Sequence, residues 1–168
     1  DAAFGRQAPR VMEIGYGDGA TLLELAAHAP ATDFIGVEVH PPGIGHCLLG
    51  IESHGLTNLR VIASDAVEVL ATQFGSASLD AVLLYFPDPW PKKRHHKRRL
   101  LKPAFVHELA RRLAPGALLH VATDWEDYAQ EALATLAAEP LLANTAEGFA
   151  PRPGHRPLTK FEARGVRL

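Results

Sequence analysis

The chain has 168 residues, 47% of them apolar and 21% charged. That composition excludes a disordered chain and suits one domain, expected over residues 1–168. The longest apolar run, Ala81 to Phe86, is far short of the roughly 20 residues of a membrane helix. The single cysteine excludes a disulfide scaffold. With no basic-then-apolar signal pattern at the start, a cytoplasmic setting and no membrane partner are expected. The formal charge of −2 seems to argue against a nucleic-acid partner, yet residues 92–99 read Lys-Lys-Arg-His-His-Lys-Arg-Arg. They hold six of the 17 basic side chains, and without them the charge would be −8.

Apolar periodicity predicts strand and helix in alternation. Arg10 to Ile14 is a strand before glycines, and Ala20 to His28 a helix through Leu22, Leu23, Leu25 and Ala26. Asp33 to Val39 is a strand, and Pro42 to His54 a helix weakened by Gly43, Gly45 and Gly50. Leu59 to Ala63 and Ala66 to Phe74 form the third strand and helix. Leu79 to Phe86 has the apolar content of a buried central strand. Leu101 to Leu113 is a helix stopped by Pro115-Gly116, Ala117 to Ala122 a strand, and Trp125 to Ala138 the last helix of the series. Five alternations predict an α/β fold, a mostly parallel sheet with helices on both faces.

Ligands of such folds sit outside the carboxyl ends of the strands. One acid follows or closes each predicted strand there: Glu13, Glu38, Asp65, Asp88 and Asp124. Together they predict one acidic crevice. The plain alternative, helix capping, applies most to Asp65 and Asp124.

Glu13-Ile-Gly15-Tyr-Gly17-Asp-Gly19 joins the first strand to the first helix. Its spacing is not that of the dinucleotide fingerprint, and Glu13 and Asp18 would repel a pyrophosphate. A nicotinamide oxidoreductase is therefore disfavoured. S-adenosylmethionine, with a sulfonium, an ammonium and no phosphate, suits these acids. Glu38 stands where a carboxylate grips ribose hydroxyls, and Asp65 where it can accept from the adenine amino group.

Phe86-Pro-Asp-Pro-Trp-Pro91 carries three prolines that fix backbone angles around Asp88. Trp90 reads as either part of a site or a plug for the core. The basic strip follows directly, placed as a platform for phosphates. None of the nine histidines joins a cysteine or carboxylate at metal-ligand spacing, so no metal is expected. Residues 139–156 read as loop. Thr159 and Glu162 form a capping-box pattern that predicts a helix starting at Lys160.

Glu-Ile-Gly-Tyr-Gly-Asp-Gly, Gly-Val-Glu-Val-His, Phe-Pro-Asp-Pro-Trp-Pro-Lys, His-x-Lys-Arg-Arg, Thr-Asp-Trp-Glu-Asp-Tyr and Arg-Pro-Leu-Thr-Lys-Phe-Glu-x-Arg-Gly occur in that order. In these motifs the chain closely resembles the bacterial tRNA (guanine-N7)-methyltransferases. The resemblance implies a Rossmann-like class I methyltransferase fold that methylates guanosine forty-six of the tRNA variable loop. By it Glu13, Glu38, Asp65 and Asp88 contact the cofactor with the glycine loop at Gly15 and Gly17, and Asp88 is the catalytic residue. Lys92, Asp124, Thr159, Lys160, Phe161 and Glu162 would contact substrate, and Arg94, His95, His96, Lys97, Arg98 and Arg99 the RNA. The family carries more chain before the first strand and a strand after the Thr-Lys-Phe-Glu helix. A sheet lacking its last edge strand is the corresponding expectation, and a monomer or homodimer is expected. A methyltransferase for another substrate and a non-catalytic RNA-binding module are the competing readings. The basic strip disfavours the first, and Glu13, Glu38 and Asp88 disfavour the second.

Overall fold

The computed structural model describes residues 3–154, 156–159 and 162. Five strands, β1 (Arg10–Ile14), β2 (Asp33–Glu38), β3 (Leu59–Ala63), β4 (Leu79–Tyr85) and β5 (Leu113–Ala122), alternate with five helices. The helices are α1 (Ala20–His28), α2 (Pro41–His54), α3 (Ala66–Gln73), α4 (Pro103–Arg112) and α5 (Glu126–Ala137). The strands pair in the order β3-β2-β1-β4-β5, every pair parallel. The order reverses beside β1, which puts a crevice at the carboxyl ends of β1 and β4.

Side chains alternate across the sheet and make two cores. Met12, Ile14, Val82 and Leu84 face α3, α4 and α5 through Val69, Leu70, Phe105, Leu109 and Tyr128. On the other face Phe34 and Leu59 meet Leu22, Leu23 and Ala26 of α1 and Cys47 of α2. Glu13 lies on this second face, beside Gly36 in the register of β1 with β2. Each fully buried aliphatic side chain contributes on the order of 1.5–3 kcal/mol.

Two of the three glycines of α2, Gly43 and Gly50, are places of contact. A Cβ on Gly43 would stand 2.1 Å from the Gly17 carbonyl oxygen, and one on Gly50 2.3 Å from a Leu23 methyl carbon. The helix gives up propensity to lie against the glycine loop and α1.

Four local readings are corrected. First, β4 stops at Tyr85, because Phe86 turns to φ 50°. Second, β5 begins at Leu113, four residues early, and runs through Pro115-Gly116. A proline is tolerated there because β5 is an edge strand among the described residues, and its pairing with β4 shifts register between Leu79 and Ala81. Third, α4 is shorter than read, from Pro103 to Arg112. Fourth, Lys93–Arg98 forms a 3₁₀ helix that carried no apolar period to betray it. The helix expected from Lys160, and any strand after Glu162, lie outside the described residues. Among the described residues no helix is long and apolar enough to cross a membrane.

Candidate active site

The glycine loop takes left-handed backbone at Gly15, Gly17 and Gly19, with φ of 70°, 63° and 81°. Glycine enters this region without steric cost. The loop is held from the end of β2. Gly15 N–H donates to the Val37 carbonyl at 2.8 Å, and Gly17 N–H donates to Glu38 Oε2 at 2.9 Å. Glu38 Oε1 accepts from the N–H groups of Val39 at 2.7 Å and His40 at 3.1 Å. The carboxylate read as a ribose grip is thus a clasp of the glycine loop.

Below the loop lies a cavity of about 570 Å³. Glu13, Tyr16, Tyr85 and Phe86 line it with Gly15 and Gly17, and His40, His46, Leu158 and Thr159 close it. Glu13 is 3% exposed, and its Oε2 has no hydrogen-bond partner among the described residues. Burial pushes its carboxyl up to about 8. A buried carboxyl with unused acceptor capacity favours an incoming cation that can stand beside it. Tyr85 closes the other side, its hydroxyl 3.0 Å from His120 Nδ1. Burial, then the nearby Glu13, raises the Tyr85 hydroxyl further above its usual range.

The other strand-end acids do not line the cavity but stand along the same edge of the sheet. Asp65 Oδ1 accepts from Val67 N–H at 2.8 Å and Glu68 N–H at 3.4 Å, so the capping alternative describes this oxygen. Asp88 is exposed, and its Oδ1 accepts from Trp90 N–H at 2.9 Å. Phe86 and Trp90, on either side of it, have φ of 50° and 46°. Such backbone in bulky residues is strained and persists only where the surroundings over-determine it. Asp124, after β5, is exposed.

The basic strip is a 3₁₀ helix standing next to this loop. Lys92, Lys93, Arg94, Lys97 and Arg98 are exposed, and His95 and His96 half-buried. Trp90 is gripped by the strip, with the Arg98 guanidinium 4.8 Å from its ring centre and the His95 ring edge-on at 5.9 Å. Arg99, expected among the residues that contact RNA, departs from the rest of the strip. It is 2% exposed and faces inward onto α5, so its guanidinium is not presented to a phosphate.

The carboxyl-terminal segment lies over the end of β4. The Arg156 guanidinium sits 5.2 Å from the Tyr85 ring centre and 5.8 Å from that of Phe86. Thr159 and Glu162 make the reciprocal capping contacts read from the sequence. Thr159 N–H donates to Glu162 Oε2 at 3.0 Å, and Glu162 N–H donates to Thr159 Oγ1 at 3.3 Å. The Glu162 carboxylate, expected to be open to substrate, is instead held by both ends of the Arg156 guanidinium and by Arg152. Burial pulls this carboxyl upward, but hydrogen bonds from Arg156 and Thr159 outweigh it and keep it low. Lys160 and Phe161 lie outside the described residues. Sequence reasoning missed Tyr85, His46 and Arg156. Tyr85, directly ahead of the proline loop, and Arg156, which opens the Arg-Pro-Leu-Thr-Lys-Phe-Glu motif, carried positional signals.

Comparisons with known proteins bear on the family and the fold. A family model described as "Putative methyltransferase" matches residues 7–168. The chain is 60% identical over its whole length to a tRNA (guanine-N(7)-)-methyltransferase of Burkholderia vietnamiensis, covering 66% of that protein. It is 58% identical to one of Paraburkholderia xenovorans, covering 65%. The chain thus spans just under two thirds of the length of these curated relatives. Among solved structures, precorrin-6y C5,15-methyltransferase of Geobacter metallireducens aligns with a TM-score of 0.62 at 16% identity, over 81% of this chain and 64% of that one. A SAM-dependent methyltransferase of Aquifex aeolicus aligns with a TM-score of 0.58 at 17% identity, over 81% and 74%. These two share the fold, the class I methyltransferase arrangement of sheet and helices. With the family model spanning residues 7–168, the chain belongs to the methyltransferase family that holds the bacterial tRNA (guanine-N7)-methyltransferases.

Proposed function

We propose that this chain is a methyltransferase domain, residues 1–168, that transfers a methyl group from S-adenosylmethionine to N7 of guanosine forty-six in the tRNA variable loop. The observation that carries the reading is an acidic cavity under a glycine loop, separated from a basic 3₁₀ helix only by the Asp88 loop. The names of the relatives support the same substrate.

The residues fit the cofactor by charge. The buried, under-used Glu13 carboxyl suits a cation, and Glu38 is the acceptor nearest the glycine loop. S-adenosylmethionine, when bound, supplies a methyl group on a sulfonium as the electrophile. Guanine N7 carries a lone pair and no proton in the neutral base, so no general base is needed at that atom. The protein's task is alignment and tolerance of the positive charge that develops on the purine. Asp88, exposed and fixed by the Trp90 N–H, is the carboxylate that orients the reacting groups and offsets that charge. Asp124, and Glu162 once freed from Arg156, accept from the N1 and N2 donors that adenine lacks, which rejects the wrong base. Thr159 keeps Glu162 in place, and Lys92 stands beside the entering nucleotide. The exposed cations Arg94, Lys97 and Arg98 take phosphates, with His95 and His96 beside them. A base of the variable loop leaves its stack at lower cost than one inside a helix.

The test is incubation with labelled S-adenosylmethionine and unmodified tRNA, followed by strand cleavage at 7-methylguanosine. One cut in the variable loop is the expected result. Label at another base, or none in RNA, overturns the reading.

A further inference from the structure

The loop after β4 has an unusual shortage of hydrogen-bond donors. Prolines occupy positions 87, 89 and 91, so between Phe86 and Lys92 only Asp88 and Trp90 have a backbone N–H. That of Trp90 is spent on the Asp88 side chain. A loop with strained φ at Phe86 and Trp90 must be fixed by donors brought from elsewhere.

Arg99 brings one. Its Nε–H donates to the Pro89 carbonyl at 2.8 Å, on the peptide next to Asp88. The other two corners of the guanidinium reach α5. Nη2 donates to Asp127 Oδ2 at 2.7 Å, and Nη1 donates to Glu131 Oε2. Lys102 Nζ donates to the second Glu131 oxygen at 2.5 Å. The guanidinium lies 4.9 Å from the Tyr128 ring centre, and the Tyr128 hydroxyl accepts from Leu101 N–H at 3.3 Å. All three nitrogens are used, and the planar fork is the reason an arginine is present.

We propose that Arg99 is a positioning residue for methyl transfer, a buried strut that fixes the Asp88 loop against α5, and not one of the cations that bind phosphate. The inference rests on the proposed function for its kinetic readout alone. It assigns the last residue of the basic strip a different task from its neighbours. Arg94 and Lys97 face solvent, while Arg99 transmits the position of α5 to the carbonyl beside Asp88.

Arg99→Lys separates the two roles, since lysine keeps the charge and loses the fork. The strut predicts that Arg99→Lys lowers kcat by about 10- to 100-fold. It also predicts a KM for tRNA within about two-fold of the parent and an unchanged salt slope of binding. Parent-like kcat in Arg99→Lys overturns the proposal, and so does a salt slope reduced as in Lys97→Gln. Glu131→Gln, which leaves Arg99 its contacts with Asp127 and Pro89, is expected to lower kcat in the same sense with tRNA affinity retained. It serves where Arg99→Lys does not fold. A second readout is independent of methylation. In a Trp125→Phe background, acrylamide quenching of Trp90 is expected to rise in Arg99→Lys and in Glu131→Gln, and unchanged quenching in both overturns the strut. A parent protein that fails to methylate tRNA overturns the proposed function instead, and the quenching experiment then decides the strut alone.

Discussion

Glu38 holds Gly17: the carboxylate at the end of β2 accepts the backbone N–H at the centre of the loop after β1, at 2.9 Å. Its other oxygen accepts two more backbone N–H groups, from Val39 and His40. One side chain therefore ties the glycine loop to the turn after β2. Glu38→Ala leaves three donors without their acceptor. The expected result is a loss of about 1–3 kcal/mol in thermal or urea unfolding, and weaker binding of S-adenosylhomocysteine in calorimetry. Unfolding indistinguishable from the parent removes the clasp from the account.

Glu13 links the cavity to pH. Its carboxyl is raised from 4.5 to about 8 by burial. Below pH 4.5 it is protonated in both folded and unfolded chains and contributes nothing to the pH dependence. Between there and pH 8 the unfolded chain ionises and the folded chain does not, so stability falls as pH rises. Glu13→Gln removes this penalty. The variant is expected to gain stability over the parent progressively from pH 5 to pH 8 in denaturant titrations, while binding S-adenosylmethionine more weakly. In the parent, a bound sulfonium favours the carboxylate, so binding at pH 7 releases close to one proton. Calorimetry in buffers of different ionisation enthalpy measures that release.

Two glycines of α2 give opposite outcomes. A Cβ on Gly43 would meet the Gly17 carbonyl oxygen at 2.1 Å, whereas one on Gly45 would meet nothing within 4 Å. Gly43→Ala is expected to cost about 1–3 kcal/mol and to weaken cofactor binding by moving the loop. Gly45→Ala is expected to stabilise by about 0.5–1 kcal/mol through helix propensity. Thermal melts of the two variants side by side test the contrast.

The exposed cations of the 3₁₀ helix are tested by salt. Arg94→Gln and Lys97→Gln are each expected to weaken tRNA binding and lower the slope of log affinity against log salt by about one or less. Affinity for S-adenosylhomocysteine should not change. A slope equal to the parent's in both variants removes the platform.

The order and number of strands and α-helices were legible because β1 to β4 are short and largely apolar. Leu79 to Tyr85 illustrates it, reading as buried from composition and burying every residue but Asp80 and Ala81. Boundaries failed where local chemistry and tertiary pairing disagree. Pro115-Gly116 signals a stop, yet an edge strand has one side without ladder partners and admits proline. The acidic edge was legible residue by residue, but not the state of each acid. Asp65 Oδ1 and Glu38 are spent on backbone donors and Glu162 on Arg156, while Glu13 Oε2 has no partner among the described residues. Those differences depend on distances across the sheet that no local pattern encodes. Arg99 is the sharpest case. In sequence it is the eighth member of a basic run, and only the placement of Asp127 and Glu131, 28 and 32 residues later, turns it inward.

Cys47 packs where a Cβ on Gly19 would stand, 2.7 Å from its Sγ. It is fully buried, and burial, with the Glu13 and Asp18 carboxylates adding, pushes the thiol up to about 11. A thiol so placed reacts only when α2 parts from the glycine loop. It is also the one cysteine of the chain. Its rate of modification by a thiol reagent is therefore a clock for how often the cofactor cavity breathes, read without any added label. The clock should slow in proportion to occupancy when S-adenosylhomocysteine fills the cavity.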